Sequence, residues 1–374
     1  MKNGVEAGAL TKWVGEPTLA VLKADLEISK PSHTTHIGKV RRWLDLRNAE
    51  GTAKPKTIAN RSSVQPKLVR RQAEWRYSAL TEPLLSSPKM YKVSPATFED
   101  GNAAKQNELI LEWQFRTKLN RVQFIDEYVR TAVDEGTVAV RVGWKRETIM
   151  VDKEVPVFEF LELTTEEEGQ QLQMAVAMKK ENPNGFLDLP EELQEAAAYA
   201  EETGTPVIAR ITGTTTIKEE KILKNQPTLD IINYENLYLD PSCEGKLEKA
   251  GFGIISFETS KAELIKDGRY KNLDNVLWNG SSPIMEPDHS STSDDAQQFN
   301  DDLRKRVVAY EYWGWHDIHK NNTLVPIVAT WIGGTMIRME ENPYPDKSIP
   351  IVLVSYLPVK RSVNGEPDAE LLGE

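Results

Sequence analysis

RVVAYEYWGWHDIHKNNTLVPIVATWIGGTMIRMEE, residues 306–341, reads as three strands in succession. Val, Ile, Tyr and Trp dominate its runs, and those types fit a pleated, half-buried surface. His-Lys-Asn-Asn at 319–322 and Gly333-Gly334 break the runs. Connections this short join antiparallel neighbours, because a parallel pair needs a crossover of a dozen residues or more. The stretch is therefore expected to be a β-meander.

Working outward, residues 107–144 (NELILEWQFRTKLNRVQFIDEYVRTAVDEGTVAVRVGW) hold the strongest helical pattern. Leu111, Phe115 and Leu119 share one helical face, and Val122, Ile125, Val129 and Val133 continue at that spacing. Asn120 offers a break, so two helices are expected. Gly136 stands where a helix ends, and Val138, Val140, Val142 and Trp144 then alternate as a strand requires. Helices and strands in segregated blocks argue for an α+β fold rather than a parallel α/β sheet.

The remaining chain divides by composition. Residues 1–60 are poorly patterned and are expected to be a flexible N-terminal arm, with one short helix over 39–51. Residues 61–163 form a helical part with a strand; its first helix, marked by Val69, Ala73 and Tyr77, is expected to stop at Pro83 and Pro88. Residues 164–204 turn to Glu, Gln, Ala and Met and read as an inserted helical hairpin around Asn-Pro-Asn-Gly. Residues 205–366 are rich in antiparallel strands. There Ser260 and Glu263 make a capping box opening a short helix over 262–267. Ser- and Asp-rich residues 279–303 are expected to be a mobile loop. A further helix begins at Pro367.

At 374 residues, with 39% hydrophobic and 28% charged, the chain can bury a sizeable core. No apolar run approaches the ~18 residues of a membrane span, and no secretory pattern opens the chain. A single cysteine, Cys243, excludes an internal disulfide framework. The net charge of −11 is unevenly placed: residues 37–92 carry 13 Lys or Arg against 4 Asp or Glu. That local +9 suits a solvated basic surface, or a segment facing nucleic acid or a partner.

Little of the sequence points to catalysis. It holds no GxxxxGK[ST] loop to cradle nucleotide phosphates, and Gly251-Phe252-Gly253 lacks the third glycine of a dinucleotide fingerprint. His316-Asp317-Ile318-His319 has metal-binding residue types. On a strand, however, residues three apart face opposite sides, and a turn role is favoured. Cys243 has no His in sequence reach. Asp230 and Asp240 could join a nuclease site, but Asp240-Pro241 reads as a turn. Trp113, Trp144, Trp313, Trp315 and Trp331 are expected in the core. No catalytic residue, metal ligand or cofactor is assigned.

Four segments together resemble the portal proteins of tailed bacteriophages, in their larger form. They are VQPKLVRRQAEWRYSALTEPLL (64–85), QFRTKLNRVQFIDEYVRTAVDEGTVAVRVGW (114–144), NLYLDP (236–241) and NPYPDKSIPIVLVSYLPVKRSVNGEPDAELL (342–372). Within the last, Asn342, Pro343, Pro345, Ile349, Pro350, Gly365, Glu366 and Pro367 carry the likeness. The resemblance implies a homo-oligomeric ring, usually of twelve, at one capsid vertex. Double-stranded DNA passes through such a ring during packaging and ejection. The partners implied are the major capsid protein, the terminase large subunit and a tail or adaptor protein. Such a chain is a virion component folded in the host cytoplasm, with no membrane partner and no enzymatic role. The helix from Pro367 would be the start of the stem. Arg41, Arg42, Arg70, Arg71 and Arg76 become candidate contacts to a neighbouring subunit or to DNA. Another virion structural protein, such as a tail adaptor or capsid-associated protein, and a metal-dependent DNA nuclease are the alternative readings.

Overall fold

The computed structural model describes residues 10–54, 56, 60, 66–87, 89–163, 165–181, 183–278, 286–291 and 301–373. Its helical first part comprises α1 (Leu19–Asn48), α2 (Leu68–Ser86), α3 (Gly101–Thr117) and α4 (Arg121–Glu135). Next come β1 (Thr137–Glu162), α5 (Glu166–Glu181), α6 (Pro183–Phe186), α7 (Glu191–Thr203) and β2 (Val207–Ile232). The later part holds β3 (Leu237–Leu239), β4 (Phe252–Ser260), α8 (Lys261–Asp267), β5 (Arg306–His316), β6 (Val325–Ile332) and β7 (Thr335–Glu341). It closes with β8 (Ile351–Ser355), β9 (Leu357–Pro358), β10 (Gly365–Glu366) and α9 (Asp368–Leu372). Helices and antiparallel sheets together make an α+β fold.

The chain packs as two compact units, Met1–Lys145 with Gln226–Glu374, and Arg146–Asn225. The first is organised by a five-stranded antiparallel sheet, order β3-β4-β5-β6-β7. The expected meander is present: Tyr312 pairs with Ala329, and Ala329 with Met339. Alternation along β5 divides two cores. Val308, Tyr310 and Tyr312 face one side with Leu22 and Leu26 of α1. Val307 and Ala309 face the other with Leu264 of α8 and Trp278. Glu311, fully buried, accepts from Trp313 Nε1 at 2.7 Å and pairs with Arg141 at 2.7 Å. A buried carboxylate persists only with such partners.

α1 departs from the expected arm. It is a continuous helix of 30 residues. Its buried positions include Leu22, Leu26, Ser29, His36, Val40 and Trp43. They follow a three-four rhythm, but polar residues occupy several of them, which hides the periodicity in the sequence. The two polar groups are packed differently. Ser29 Oγ donates to Leu26 O at 2.7 Å, and the His36 ring packs edge-on against Tyr234 at 4.7 Å. Pro31 lies within the helix on its exposed face.

α2 likewise runs through Pro83 to Ser86 rather than stopping. Arg121, largely buried, donates to the carbonyls of Leu84 at 2.5 Å and Ser87 at 2.8 Å, which satisfies groups at the helix end. α3 and α4 break at Asn120, whose φ of 45° is left-handed. Ser260 and Glu263 form the capping box of α8. The expected mobile loop, 279–303, falls mostly outside the described residues.

The unit Arg146–Asn225 has its own core. Leu172 and Ala175 of α5 pack with Ala196 and Ala197 of α7 and Ala209 of β2. Its strands are cross-linked by Lys153–Glu219 at 2.9 Å and by Thr212 Oγ1 donating to Val157 O at 3.3 Å.

Among the tryptophans, Trp313 and Trp331 are buried as expected. Trp113, Trp144 and Trp315 are not, being 53%, 54% and 38% exposed, so their places on regular elements did not imply the core.

Candidate functional site

The segment that carries the resemblance begins at the end of β7. Asn342 is buried and organises the turn that follows. Its Oδ1 accepts from Tyr344 N at 2.9 Å, and its Nδ2 donates to Ser348 O at 2.8 Å. This Asx-type turn is why Asn precedes the two prolines; Pro343 and Pro345 lie exposed on it. Ile349 packs against a core holding Ile37, Ala139 and Ile255. Pro350 is buried, and its carbonyl accepts from Val142 N at 3.0 Å. β8 then pairs with β1, Thr137 opposite Ser355 and Arg141 opposite Ile351.

Two glycines bring the chain to the start of α9. Gly136 caps α4 with φ 76°, and its carbonyl accepts from Tyr356 N at 2.9 Å. A Cβ on Gly136 would lie 2.7 Å from the Glu366 carbonyl carbon, and one on Gly365 would lie 2.6 Å from Gly136 O. Gly365 N donates to Thr137 Oγ1 at 2.9 Å. The backbones of the α4–β1 corner and of β10 therefore touch directly, which only glycine permits. Pro367 is the residue before α9 rather than its first residue, with ψ 169°.

Side chains of α1, α2 and the β8–β9 link then hold α9. Asp368 is buried and accepts from Arg76 Nε of α2 at 3.0 Å and from Tyr356 OH at 3.3 Å. Glu370 accepts from Trp43 Nε1 of α1, with Arg42 at 3.9 Å. Ala369 packs into a core with Val40 and Trp43. Beside it, Tyr77 OH donates to Asp134 at 2.5 Å, and Arg47 pairs with Asp134 at 3.1 Å. The arrangement seats α9 against α1, α2 and α4.

The five candidate arginines thus separate. Arg76 and Arg42 hold α9, and Arg41 pairs with Glu235 at 3.0 Å. Arg70 and Arg71 are exposed and form no ion pair with a described residue; Arg71 lies over the Trp75 ring, 6.0 Å from its centroid. Trp43, Thr137, Tyr356 and Asp368 carry no local signal of their role, because their partners are far away in sequence.

Other chemical candidates have ordinary settings. His316 shares a hydrogen bond with Tyr312 OH at 2.9 Å, and the Asp317 carboxylate accepts from Asn322 N at 2.7 Å in a turn. Asp240 is partly buried, yet the amides of Gly251 and Ser242 hold its carboxyl below the usual range. It lines a cleft of about 180 Å³ with His33, His36, Cys243 and Arg361. Burial lowers the His36 pKa to about 4, so the ring is neutral at pH 7. Among the described residues no group of three His, Cys, Asp or Glu could hold a metal ion, and no helix is long and apolar enough to cross a membrane.

The family comparison identifies this α+β body, bearing these motifs in this order, as that of a phage portal protein, a structural component of the virion. Within that class the chain belongs to the family described as Phage SU10 portal protein, whose model matches residues 18–374. The match takes in α1.

Proposed function

We propose that copies of this chain close into a ring at one capsid vertex, the conduit for double-stranded DNA during packaging and ejection. The terminase large subunit, the major capsid protein and a tail or adaptor protein are the partners such a ring meets. The family match over residues 18–374 is the observation that carries this reading. α9 is then the start of the stem helix, and its clamping by Arg76, Trp43 and the Gly136–Gly365 contact suits a joint that transmits load. A net charge of −11 also suits a conduit, since grip on phosphates comes from Lys and Arg. The test is gold labelling and copy counting of this protein in purified particles. A few copies confined to one vertex are expected; label spread over the whole shell, or none, overturns the reading.

A further inference from the structure

Two segments of this chain have opposite net charge, and each keeps exposed charges outside its internal ion pairs. Residues 37–92 carry a net +9, and residues 146–225 hold 17 Asp or Glu against 8 Lys or Arg, a net of −9. On α2, Leu68, Arg71 and Trp75 are spaced by three and four, which places them on one stripe. Leu68 and Trp75 are each 67% exposed, and the Arg71 guanidinium lies over the indole. Lys67, tied to Glu50 at 3.1 Å, flanks that stripe, and Arg70, also exposed, lies about 100° round the helix from Arg71. An exposed Trp beside an Arg has the composition of an interface anchor, and clustered exposed apolar groups point to a partner.

On α7, Glu191, Glu195 and Glu202 also share one stripe, at successive offsets of four and seven. Ala196 and Ala197 are buried on the opposite side, so the carboxylates face away from their unit's core. All three are exposed and form no ion pair with a described residue. Beside them stands Leu187, 68% exposed, its carbonyl held by Gln194 Nε2 of α7 at 3.2 Å. The stripe is about 16 Å long at 1.5 Å per residue.

We propose that the Leu68–Arg71–Trp75 stripe of α2 is the docking surface for the carboxylate stripe of α7 from a second copy of this chain. The proposal rests on the ring reading above. A head-to-tail ring requires each subunit to present two different, complementary faces, and these two differ in the required sense. Carboxylates of α7 pair with Arg71, Arg70 and Lys67, while Leu187 meets Leu68 and Trp75. Such a contact weakens as salt rises.

The test uses the full chain and two charge-reversed variants, R70E/R71E and E191K/E195K/E202K, with self-association followed by sedimentation velocity. Each variant alone is expected to associate on the order of tenfold more weakly than the unchanged chain. An equimolar mixture restores association, because every contact in an alternating assembly is again between opposite charges. Thermal unfolding of each variant guards against misfolding. As a second route, chains carrying Arg71→Cys and Glu195→Cys separately are mixed, and a disulfide between them is expected; the native Cys243 is buried. Unchanged association in both variants, no recovery on mixing, or no cross-link overturns the proposal. So does a loss of DNA binding in R70E/R71E with association intact, which would make the patch a nucleic-acid surface. A chain that stays monomeric throughout also overturns the contact, while the portal reading is judged separately by labelling of particles.

Discussion

Gly365 shows how tightly the joint before α9 is built. A Cβ there would meet Gly136 O at 2.6 Å, Ser355 Cβ at 2.8 Å and Leu357 O at 2.9 Å, two of them backbone atoms that cannot swing aside. Gly365→Ala is expected to destabilise the chain by about 1–3 kcal/mol, the usual cost of overpacking. Gly334→Ala, with nothing within 4 Å, is the matched control. Urea unfolding of the two variants checks this. Glu135, one residue before Gly136, sets a pH dependence. Burial, with Asp134 and Glu235 nearby, pushes its pKa from 4.5 to about 7. The folded chain thus holds this proton more tightly than the unfolded chain. Its contribution to stability is complete below pH 4.5 and is lost as pH rises through about 7. Glu135→Gln stays neutral, so its unfolding midpoint should fall less than the unchanged chain's between about pH 5 and pH 8. Equal slopes would show that Glu135 does not titrate with folding.

At the scale of elements, α1 is the largest difference between pattern and structure. Leu22, with no exposed surface, packs under the five-stranded sheet, so α1 is part of the core. Leu22→Ala should cost about 2–5 kcal/mol, measured as a shift in thermal unfolding. A loose arm would give no change. The difference has a physical cause: Ser29 and His36 occupy buried positions of α1 where the helical period is otherwise apolar. The α4–Gly136–β1 corner was legible because each signal there is local: helical spacing, a left-handed glycine, then alternation. Pro83 was legible as a helix stop but did not act as one; α2 ends three residues later, at Ser86, where Arg121 reaches across to the carbonyls of Leu84 and Ser87.

For the whole molecule, the unit Arg146–Asn225 has an independent core of Leu172, Ala175, Phe186 and Ala196. Replacing residues 146–225 by a short Asn-Gly turn should leave the remaining body folded, with a cooperative thermal transition. If α7 supplies the acidic face, the same deletion also abolishes self-association. A chain that fails to fold would show that the body depends on the unit it lost.

The sequence by itself determined the α+β class, the meander, the paired helices of 107–135 and the capping box at Ser260. Each rests on neighbours within a few residues, where spacing and turn chemistry act directly. It also held the ordered motifs that mark a portal protein. Tertiary structure alone decided that α1 belongs to the core, and that Arg76 and Arg42 serve α9 while Arg70 and Arg71 face outward. Trp43 meets Glu370, and Arg76 meets Asp368, across roughly three hundred residues of chain. No local periodicity can encode such pairs, because they form only once the sheet and helices have brought the two ends of the sequence together.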